Sequence, residues 1–519
     1  MTRAAGAADT SCSAKRSREA GGGRGKRQRE RPVLSSATIT ANQLFINNEW
    51  RPSSSGRTMD VVNPATEDVI AEVPSADASD VDRAVAAARA AFSGPWSRLS
   101  ARERGRLVRR LGDRLMERAD EVARLETLHN GKPISESRHI EIPAAAECFE
   151  YYGGWSDKVM GETIPVKGNH LTYTLREPVG VVAAIVPWNF PLLLAAWKVA
   201  PALACGNTVI LKPASQTPLT ALALGELALD VGFPPGVLNV ITGAGATVGQ
   251  ALVEHPGIDK IAFTGDTTTG KSIMRSAADT LKKITLELGG KSPNIVLGDA
   301  DMDAAIRGAT IGIFYGKGEV CAAGSRLLVD RAIKDEFLDK LTARVRKMVP
   351  GDPMDPKTRF GAISSRKQLD TVLRYIDTGK TEGAALLTGG ERADIGTGKG
   401  YFLQPTVFAD VKPEMTISRE EIFGPVLATI DFADLDEAIA TANDTPYGLA
   451  AGVWTRDIKK AHHVARRLQA GTVWINTYNV YDTAAPFGGY KQSGFGREMG
   501  ADALEHYTQV KSVWVDLNA

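Results

Sequence analysis

Cysteine and histidine are scarce in this 519-residue chain, which argues against a disulfide scaffold and a metal centre. Four cysteines are too few for a disulfide framework at this length, and no C-x-x-C pair occurs. Of the seven histidines only His462 and His463 adjoin, in the helix-like segment KKAHHVARRL, so we interpret them as solvated and predict no metal. Cysteines this sparse favour a reducing compartment, and we expect a cytoplasmic protein.

Charge of one sign and long hydrophobic runs are equally scarce. The formal net charge is +1, so no global field attracts nucleic acid or an anionic membrane, and we predict neither partner. The one long apolar run, residues 179–204, contains prolines at positions 187, 191 and 201, which would break a membrane-spanning helix. With 43% hydrophobic and 24% charged residues, the composition is that of a soluble globular protein.

The N-terminal segment, residues 1–40, differs in composition from the rest of the chain. It carries nine basic and three acidic side chains and the run Gly21-Gly22-Gly23, with almost no aliphatic residues. Such a segment buries too little apolar surface to order itself, so we predict a disordered basic tail. It lacks the apolar core of a secretory signal. An organellar transit peptide, a nucleic-acid-binding arm and a start codon placed too early are alternatives.

From Gln43 onward the hydrophobic pattern alternates between short strands and amphipathic helices. Apolar strands such as VVAAIV, TVILK and KIAFT are separated by helical patterns such as LLLAAWKVAPALA, which is typical of a parallel, doubly wound sheet. A second alternating unit follows, and no internal repeat is evident. We therefore predict an α/β fold with a doubly wound parallel sheet and a second α/β domain, as the chain length also suggests.

Two local predictions concern the helices that precede these strands. One amphipathic pattern runs from Arg102 to His129 and predicts a helix ended by Asn130-Gly131. An earlier helix, in SADASDVDRAVAAARAAF, has Ser75 or Ser79 as its candidate N-cap. Further along, KGN predicts a hairpin turn and YTQVKSVWVDL alternates as a lone strand.

Three residues have the chemistry for oxidising an aldehyde. Cys321 lies among small residues in GEVCAAGSR, and a thiolate can add to a carbonyl to give a tetrahedral alkoxide that expels hydride. Glu287 ends an apolar strand, where a buried carboxyl of raised pKa can take a proton from water. Asn189 follows VVAAIV, where its amide can donate to the alkoxide together with the Cys321 N–H. Each has a structural alternative: a buried small thiol, a salt-bridged glutamate and a helix-capping asparagine.

Six segments in a fixed order carry a resemblance to a known family. They are PWNFPLLLAAWKVAPALACGNTVILKP, FTGDTTTGKSI, LELGGKSPNIV, GEVCAAGSRLLV, EEIFGPV and PFGGYKQSGFGRE. On these segments the chain from about Gln43 to its end resembles the NAD(P)-dependent aldehyde dehydrogenase superfamily. The resemblance implies oxidation of an aldehyde to the carboxylic acid through a thioester, with Cys321 as nucleophile, Glu287 as the base that activates water and Asn189 as the oxyanion donor.

The resemblance also implies roles for the domains. Residues 41–158 and 179–288 would form the dinucleotide-binding domain, and residues 289–500 the catalytic domain. The segments 159–178 and 501–519 resemble the family's small β oligomerisation arm. Since an unpaired edge strand invites a partner, we expect a homodimer or homotetramer.

NAD is the cofactor that the resemblance implies, with NADP as an alternative. The implied contacts are Trp188, Lys212, Ser215, Gly245, Gly249, Gly265, Asp266, Gly270, Leu288, Glu421 and Phe423. Lys212, Glu421 and Phe423 would hold the two riboses, and Gly265 and Gly270 would lie at the pyrophosphate beside a helix N-terminus. The segment GAGATVG imitates the common dinucleotide fingerprint, but its spacing is off by one residue. Glu498 is similar to a family glutamate in a proton route, with a structural ion pair as the alternative.

The chain departs from the family pattern at three positions. Ser215 stands where many members have a glutamate that binds the ribose hydroxyls, and serine would not repel a 2′-phosphate. Asp266 replaces a frequent serine near the pyrophosphate, which is unfavourable unless the carboxylate points away. Glu319 replaces a frequent glutamine two residues before Cys321, where it either raises the pKa of the thiol or is solvated.

The substrate tunnel that the resemblance implies is apolar and aromatic. It would be lined by Leu194, Trp197, Val320, Asn479, Tyr481 and Phe487, with Tyr152 or Trp155 as further candidates. Such a lining suits a medium-sized aliphatic or aromatic aldehyde, and two of its rings could also cage the quaternary ammonium of betaine aldehyde. Two rival interpretations are a relative that transfers the acyl group to coenzyme A, against which Glu287 argues, and a non-catalytic protein on the same scaffold.

Overall fold

The computed structural model describes residues 43–518, and the predicted basic tail of residues 1–40 lies outside them. The strands are β1 Leu44–Ile46, β2 Glu49–Arg51, β3 Thr58–Val62, β4 Val69–Pro74, β5 Thr163–Ile164, β6 His170–Pro178, β7 Val181–Ile185, β8 Thr208–Lys212, β9 Leu238–Val240, β10 Lys260–Thr264, β11 Lys283–Glu287, β12 Pro293–Val296, β13 Arg326–Asp330, β14 Ala385–Thr388, β15 Thr406–Ala409, β16 Val426–Phe432, β17 Ala450–Trp454, β18 Thr472–Ile475, β19 Gly494–Phe495 and β20 Thr508–Asp516.

The helices are α1 Ala78–Ser93, α2 Pro95–Arg98, α3 Ala101–Glu117, α4 Ala119–Asn130, α5 Ile134–Glu136, α6 Ile142–Trp155, α7 Pro191–Ala204, α8 Leu219–Val231, α9 Gln250–Glu254, α10 Thr267–Ala277, α11 Met302–Phe314, α12 Lys334–Val345, α13 Arg366–Thr381, α14 Thr416–Arg419, α15 Leu435–Asn443, α16 Ile458–Arg467 and α17 Asp502–His506. Short π or 3-10 turns occupy Ser137–Glu141, Gly245–Gly249, Ala278–Thr280, Tyr315–Gly318 and Lys491–Ser493.

The first large sheet has eight strands in the order β19-β11-β10-β7-β8-β9-β1-β2. Its five central strands, β11 to β9 in that order, run parallel to one another. Successive residues of β7 enter opposite cores, with Val182 and Ala184 in one and Val181 and Ala183 in the other. Both faces are therefore covered, which explains the continuous apolar character of these strands and confirms the predicted doubly wound α/β fold.

The second large sheet has the order β14-β15-β16-β13-β12-β17-β18 and is parallel except for β14. The chain leaves the first sheet at the end of β11 and enters the second at β12, and it later returns to the first sheet through β19. A separate three-stranded sheet, β20-β6-β5, is antiparallel, with Val513 opposite Tyr173. The junction between the two large sheets contains the loops that hold the candidate site.

Two local predictions about the N-terminal helices are wrong in detail. The single helix predicted from Arg102 to His129 is two helices, α3 and α4, which meet at Arg118 with backbone angles of −108° and 21°. The N-cap of α1 is Asp77, which forms a capping box with Asp80, rather than either predicted serine. In both cases the hydrophobic pattern gives no sign of the helix boundary, which depends on polar contacts.

Among residues 43–518 no helix has the length and apolar character needed to span a membrane.

Candidate active site

Cys321 lies in the loop that joins α11 to β13. Before the cysteine the chain makes a tight turn in which Gly316, Lys317 and Gly318 have left-handed φ angles of 56°, 63° and 72°. Glycine adopts this conformation freely, whereas a lysine there needs specific contacts to hold it. The turn leads into the partly exposed Cys321.

The surroundings of Cys321 favour the neutral thiol. Desolvation raises the pKa of the thiol to about 12, and the carboxyls of Glu421 and Glu287 act in the same direction. The main-chain N–H groups of Ala322 and Cys321 oppose this increase. Both carboxyls are thus close enough to influence the sulfur, and the thiol needs a base or a nearby positive charge to become a nucleophile.

Glu287 is the last residue of β11, at the carboxyl end of a parallel strand. Its side chain is only 4% exposed, and neither carboxylate oxygen has a hydrogen-bond partner among the described residues. Desolvation raises the pKa of this carboxyl well above its ordinary value; Glu498 adds to the increase, and Lys198 and Arg497 oppose it. A carboxyl with a raised pKa and unpartnered oxygens can accept a proton near neutral pH.

A buried ion pair between Lys198 and Glu498 lies beside this carboxyl. Lys198 projects from α7 and also donates to Thr264 Oγ1 at 2.6 Å, and Thr264 is the register partner of Glu287 across β10 and β11. Glu498 therefore forms the structural pair that was one of its two predicted alternatives. Sequence analysis missed Lys198, although a single cation inside the apolar helix LLLAAWKVAPALA signals a buried partner.

Asn189 connects the loop after β7 to the cysteine loop. Its side chain is buried, and Nδ2 donates to the main-chain oxygen of Glu319 at 2.9 Å. An amide has two N–H groups, so one remains for another acceptor. The N-cap of α7 is Phe190, so the helix-capping alternative for Asn189 is wrong.

Glu319 is 1% exposed, so the prediction that it is solvated is wrong. Its Oε1 accepts from the Ser364 N–H at 3.0 Å, and Oε2 lies 2.8 Å from Lys317 Nζ. Desolvation raises the pKa of Glu319, while Lys317 and Ser364 lower it. Sequence analysis missed Lys317 as a site residue, although a lysine between two glycines directly before a reactive cysteine is an unusual pattern.

Glu421 lies against the glycine loop that follows Glu287. Its Oε1 accepts from the Gly290 N–H at 2.9 Å, and a Cβ placed on Gly289 would lie 2.1 Å from Oε2, so this approach requires glycine. Desolvation raises the pKa of Glu421 to about 7, and the bond from Gly290 opposes the increase. A Cβ on Gly290 would lie 2.5 Å from the Cys321 oxygen, which places this loop directly beside the cysteine.

Phe423 and Trp188 meet on the same side of the cleft. Phe423 has a left-handed φ of 55°, and its ring packs edge-on against the Trp188 ring with centroids 5.2 Å apart. Together with Glu421 they bring residues from two distant segments of the chain to one place, as the resemblance implied for a nicotinamide-ribose site.

Lys212 and Ser215 lie at the carboxyl end of β8 and just beyond it. The Lys212 ammonium donates to the Pro213 oxygen at 2.8 Å, and burial lowers its pKa to about 8. The Ser215 hydroxyl donates to the Gly243 oxygen at 3.2 Å. A Cβ on Gly249 would lie 3.8 Å from Lys212 Cε. Ligands bind at the carboxyl edge of a doubly wound sheet. We therefore regard Lys212 and Ser215, with Gly243 and Gly249, as a candidate ribose cradle.

Gly245 is set apart from this cradle. It is exposed, and a Cβ on it would meet no atom within 4 Å.

The predicted pyrophosphate loop follows β10. The Gly265 N–H donates to the Glu287 oxygen at 3.0 Å. Asp266 is the N-cap of α10 and accepts from Thr269 N at 2.9 Å and Thr269 Oγ1 at 2.6 Å, so its carboxylate is turned onto its own helix. A Cβ on Gly270 would lie 2.6 Å from Leu288, so glycine lets α10 approach Leu288 and the loop after β11.

Three aromatic rings form a continuous wall, which we call the aromatic wall: Trp197, Tyr481 and Phe487. The Trp197–Phe487, Tyr481–Phe487 and Trp197–Tyr481 centroids are 5.5, 5.7 and 6.4 Å apart. Trp474, which sequence analysis did not select, packs edge-on against Tyr481 at 5.5 Å. Asn479 Oδ1 accepts from the Tyr481 hydroxyl at 3.2 Å.

The remaining tunnel candidates divide into two groups. Leu194 and Val320 are buried apolar residues, and Val320 directly precedes Cys321. Tyr152 donates its hydroxyl to the Gly500 oxygen at 2.9 Å, and Trp155 packs on Tyr151. No group of three or more His, Cys, Asp or Glu side chains suited to a metal ion occurs among residues 43–518.

Comparison with known proteins gives one consistent result. The family model described as "Aldehyde dehydrogenase family" matches residues 50–513. The human mitochondrial aldehyde dehydrogenase is 50% identical over 480 residues, covering 92% of each chain. An Arabidopsis thaliana aldehyde dehydrogenase, family 2 member B4, is 50% identical over 491 residues, covering 94% of this chain and 91% of that protein. The NAD+ complex of a Bacillus cereus aldehyde dehydrogenase superimposes with a TM-score of 0.91 at 51% identity, covering 92% of this chain and 98% of that one.

Proposed function

The chain belongs to the aldehyde dehydrogenase family, and we propose that it oxidises an aldehyde to the carboxylic acid with NAD+ through a thioester on Cys321. One observation carries this proposal: the partly exposed thiol interacts electrostatically with the buried Glu287 carboxyl, whose oxygens have no partners among the described residues. The NAD+ complex of the Bacillus cereus relative supports the choice of cofactor.

In the first half of the reaction, the partly exposed Cys321 thiol releases its proton to solvent, and the resulting thiolate attacks the aldehyde carbon. A C–S bond forms, and the carbonyl π electrons move to oxygen, where the free N–H of Asn189 and the Cys321 N–H stabilise the alkoxide. NAD+, when bound, accepts the hydride that this alkoxide expels. The C=O bond re-forms, and the acyl group remains on sulfur as a thioester.

In the second half, Glu287 takes a proton from a water molecule. The water oxygen attacks the thioester carbon, the C–S bond breaks, and the carboxylic acid leaves while the electron pair returns to sulfur. The raised pKa and unpartnered oxygens of Glu287 suit it to this proton transfer. A base that activates water also favours hydrolysis over transfer to coenzyme A, so we expect turnover to be independent of added coenzyme A.

The residues present fit NAD+. Lys212 and Ser215 would hold the adenosine ribose, Glu421 and Phe423 the nicotinamide ribose, and the loop from Gly265 would face the pyrophosphate. The further predicted contacts are Trp188, Gly245, Gly249, Asp266, Gly270 and Leu288. The Asp266 carboxylate accepts hydrogen bonds from Thr269 of its own helix, which would lessen its conflict with an incoming phosphate.

The assigned nucleophile is tested by Cys321→Ala. We expect aldehyde-dependent NADH formation to fall at least about 10³-fold, because the substitution removes the atom that forms the covalent bond. Cys205→Ala is the matched control: this thiol is buried against the Leu504 oxygen at 4.0 Å, and its loss should leave turnover within about twofold. A Cys321→Ala protein that still reduces NAD+ with aldehyde would contradict the assignment of Cys321 as the nucleophile.

The aromatic wall favours a neutral, medium-sized aliphatic or aromatic aldehyde. The Trp197 and Tyr481 rings are 6.4 Å apart and tilted by 53°, so they form a surface rather than two parallel faces around a cation. Turnover should be measured for straight-chain aldehydes, benzaldehyde-type aldehydes and betaine aldehyde. A higher kcat/KM for betaine aldehyde than for hexanal would contradict this assignment and support the quaternary ammonium cage.

Ser215 permits NADP+ as a second cofactor. Ser215→Glu should lower kcat/KM for NADP+ by about 10-fold or more and leave NAD+ use intact, because a carboxylate repels the 2′-phosphate. Ser215→Ala should change kcat/KM for NADP+ and for NAD+ by no more than about twofold. Unchanged NADP+ use in Ser215→Glu would show that this side chain is away from the ribose.

The strand β20 supports a homodimer or homotetramer. It pairs with β6 on one side and lies at the end of its three-stranded sheet, and it exposes Val510 and Trp514. Light scattering of the purified protein should give two or four times the mass of one chain. A single-chain mass at micromolar concentration would contradict the proposal.

We place the enzyme in the cytoplasm because the described cysteines are unpaired thiols. A fluorescent fusion compared with and without residues 1–40 tests this placement. Organellar fluorescence that depends on those residues would instead assign them a targeting role.

A further inference from the structure

Lys317 ties the cysteine loop to the loop that carries Trp188 and Asn189. Its Nζ donates to both oxygens of Asn130, to the main-chain O at 3.0 Å and to Oδ1 at 2.8 Å. Asn130 Nδ2 in turn donates to the Trp188 oxygen at 2.7 Å. One buried ammonium thus connects the last residue of α4, the loop after β7 and the turn before Cys321.

Glu319 closes these contacts into a ring. Its carboxylate lies 2.8 Å from Lys317 Nζ and accepts from the Ser364 N–H at 3.0 Å. Its main-chain oxygen accepts the N–H of Asn189 Nδ2 at 2.9 Å. We call Asn130, Lys317 and Glu319 the clamp. The ring runs from Asn130 through the Asn189 loop to Glu319, and through the ion pair back to Asn130.

The clamp stabilises a left-handed backbone conformation at Lys317 that is unfavourable for a lysine. Lys317 has a φ of 63° between two left-handed glycines, a conformation that is unfavourable for a residue other than glycine. The side chain is also fully buried, where an ammonium is unfavourable without partners. Both costs are concentrated four residues before the nucleophile, which is where strain is expected to serve a function.

A second lysine strengthens the same loop. Lys132 Nζ donates to the Asn189 main-chain oxygen at 2.7 Å and forms an ion pair with Glu141, and it lies 4.5 Å from the centre of the Phe190 ring. Asn189 is therefore held at its main-chain oxygen by one buried ammonium and at its side-chain amide by the Glu319 oxygen. The held groups are buried, so the arrangement is present before any substrate enters.

We propose that the clamp positions the Asn189 amide relative to the Cys321 sulfur, so that the oxyanion site is formed before substrate binds. Asn130, Lys317 and Glu319 are positioning residues, since the proposed chemistry assigns them no contact with the reacting atoms. The inference rests on the proposed nucleophile and oxyanion donor and adds the device that fixes the distance between them. A buried ion pair is weak evidence for stability alone, whereas a ring that joins two catalytic loops has a geometric consequence.

The test uses an activated aryl ester, p-nitrophenyl acetate, with the full-length enzyme and no nucleotide. Acylation of Cys321 releases nitrophenolate and forms the same type of oxyanion, without hydride transfer. In Lys317→Met we expect the rate constant of the nitrophenolate burst to fall about 10- to 100-fold, because a misplaced oxyanion donor costs this much. The burst amplitude per folded protein should stay at one per active site, which a merely unstable variant would not maintain.

Glu319→Gln is the second variant, in case Lys317→Met does not fold. It keeps the side-chain shape and the main-chain oxygen but removes the opposite charge, so we expect a smaller decrease, about 3- to 10-fold. The double variant Lys317→Gln with Glu319→Gln replaces the ion pair by two amides that can bond to each other and to Asn130. It should recover most of the burst rate constant.

Lys334→Met is the matched control. Lys334 is a partly buried lysine at the start of α12 that pairs with Asp410 at 2.6 Å and Asp431 at 3.5 Å. Its loss should lower the melting temperature and leave the burst rate constant unchanged. Burst rate constants within twofold of wild type in both Lys317→Met and Glu319→Gln overturn the clamp, as does an equal decrease in Lys334→Met. If Cys321→Ala still releases nitrophenolate at the wild-type rate, the proposed nucleophile itself is wrong.

Discussion

Two buried carboxyls flank the cysteine loop, and they are held in opposite ways. Glu319, two residues before the nucleophile, is 1% exposed and has its oxygens facing Lys317 and the Ser364 N–H. Glu287, at the end of β11, is 4% exposed and has no hydrogen-bond partner for either oxygen among the described residues. Burial is therefore the same in the two places, and only the partners differ.

The difference separates a carboxyl that holds structure from one that can move a proton. Desolvation raises the pKa of both groups, but Lys317 and Ser364 counteract it at Glu319. At Glu287 the neighbouring Glu498 adds to the increase, so its pKa lies well above the ordinary value. A carboxylate that is paired with an ammonium 2.8 Å away is a poor base, whereas one that forms no ion pair with the described residues can take a proton from water.

The largest expected effect is on turnover, and it tests the role of Glu287 as the base. Glu287→Gln should lower steady-state kcat by about 10²- to 10⁴-fold, since it removes the general base while keeping the size of the side chain. Acylation does not need this base to act on water, so one equivalent of NADH per active site should still form in a burst. Mass spectrometry should then find the acyl group on the peptide that contains Cys321.

Glu319→Gln provides the contrast in the same experiment. It should slow the burst modestly without trapping the acyl-enzyme, because its carboxylate takes no part in activating water. If Glu319→Gln accumulates thioester and Glu287→Gln does not, the roles of the two carboxyls are reversed.

The next largest effect is on the free energy of unfolding, and it tests the pairing of Glu319 with Lys317. Lys317→Met leaves a buried carboxylate without its cation, which costs about 3–5 kcal/mol of unfolding free energy. The double variant Lys317→Met with Glu319→Met removes both charges and should recover most of this loss, because a buried ion pair contributes little net stability over apolar residues. The shift in urea midpoint, measured at constant m-value, gives the free energies. Additive losses in the double variant would contradict a direct pairing of the two side chains.

The sequence contained the periodic and local parts of this arrangement. Alternating apolar strands and helices predicted the doubly wound α/β fold, and short motifs singled out Cys321, Glu287 and Asn189 as the candidate site. The clamp was not predictable in this way, because Asn130 and Lys317 are 187 residues apart and meet only in the folded chain. Solvation was one of two alternatives for Glu319, and its burial beside Lys317 rules that alternative out.

The prediction of the helix boundaries was wrong for a related reason. At Arg118 the apolar period continues from α3 into α4, but the side chain pairs with Glu121 and with Glu226 of α8. A tertiary contact of this kind ends a helix without altering its hydrophobic pattern.

The smallest expected effect is a pH-dependent stability difference at Glu287. Its folded pKa is raised above the ordinary value near 4.5, so the folded protein binds this proton more tightly than the unfolded chain does. Stability from this group is therefore complete at pH values below the unfolded pKa and is lost as the pH rises towards the folded pKa. Glu287→Gln has no such loss, so it should be more stable than wild type by about 1 kcal/mol or more near neutral pH. This advantage should shrink as the pH is lowered to about 5. Melting temperatures of both proteins across this range give the difference. A constant difference would mean that the Glu287 proton is bound equally in both states, and the contrast with Glu319 would then rest on contacts alone.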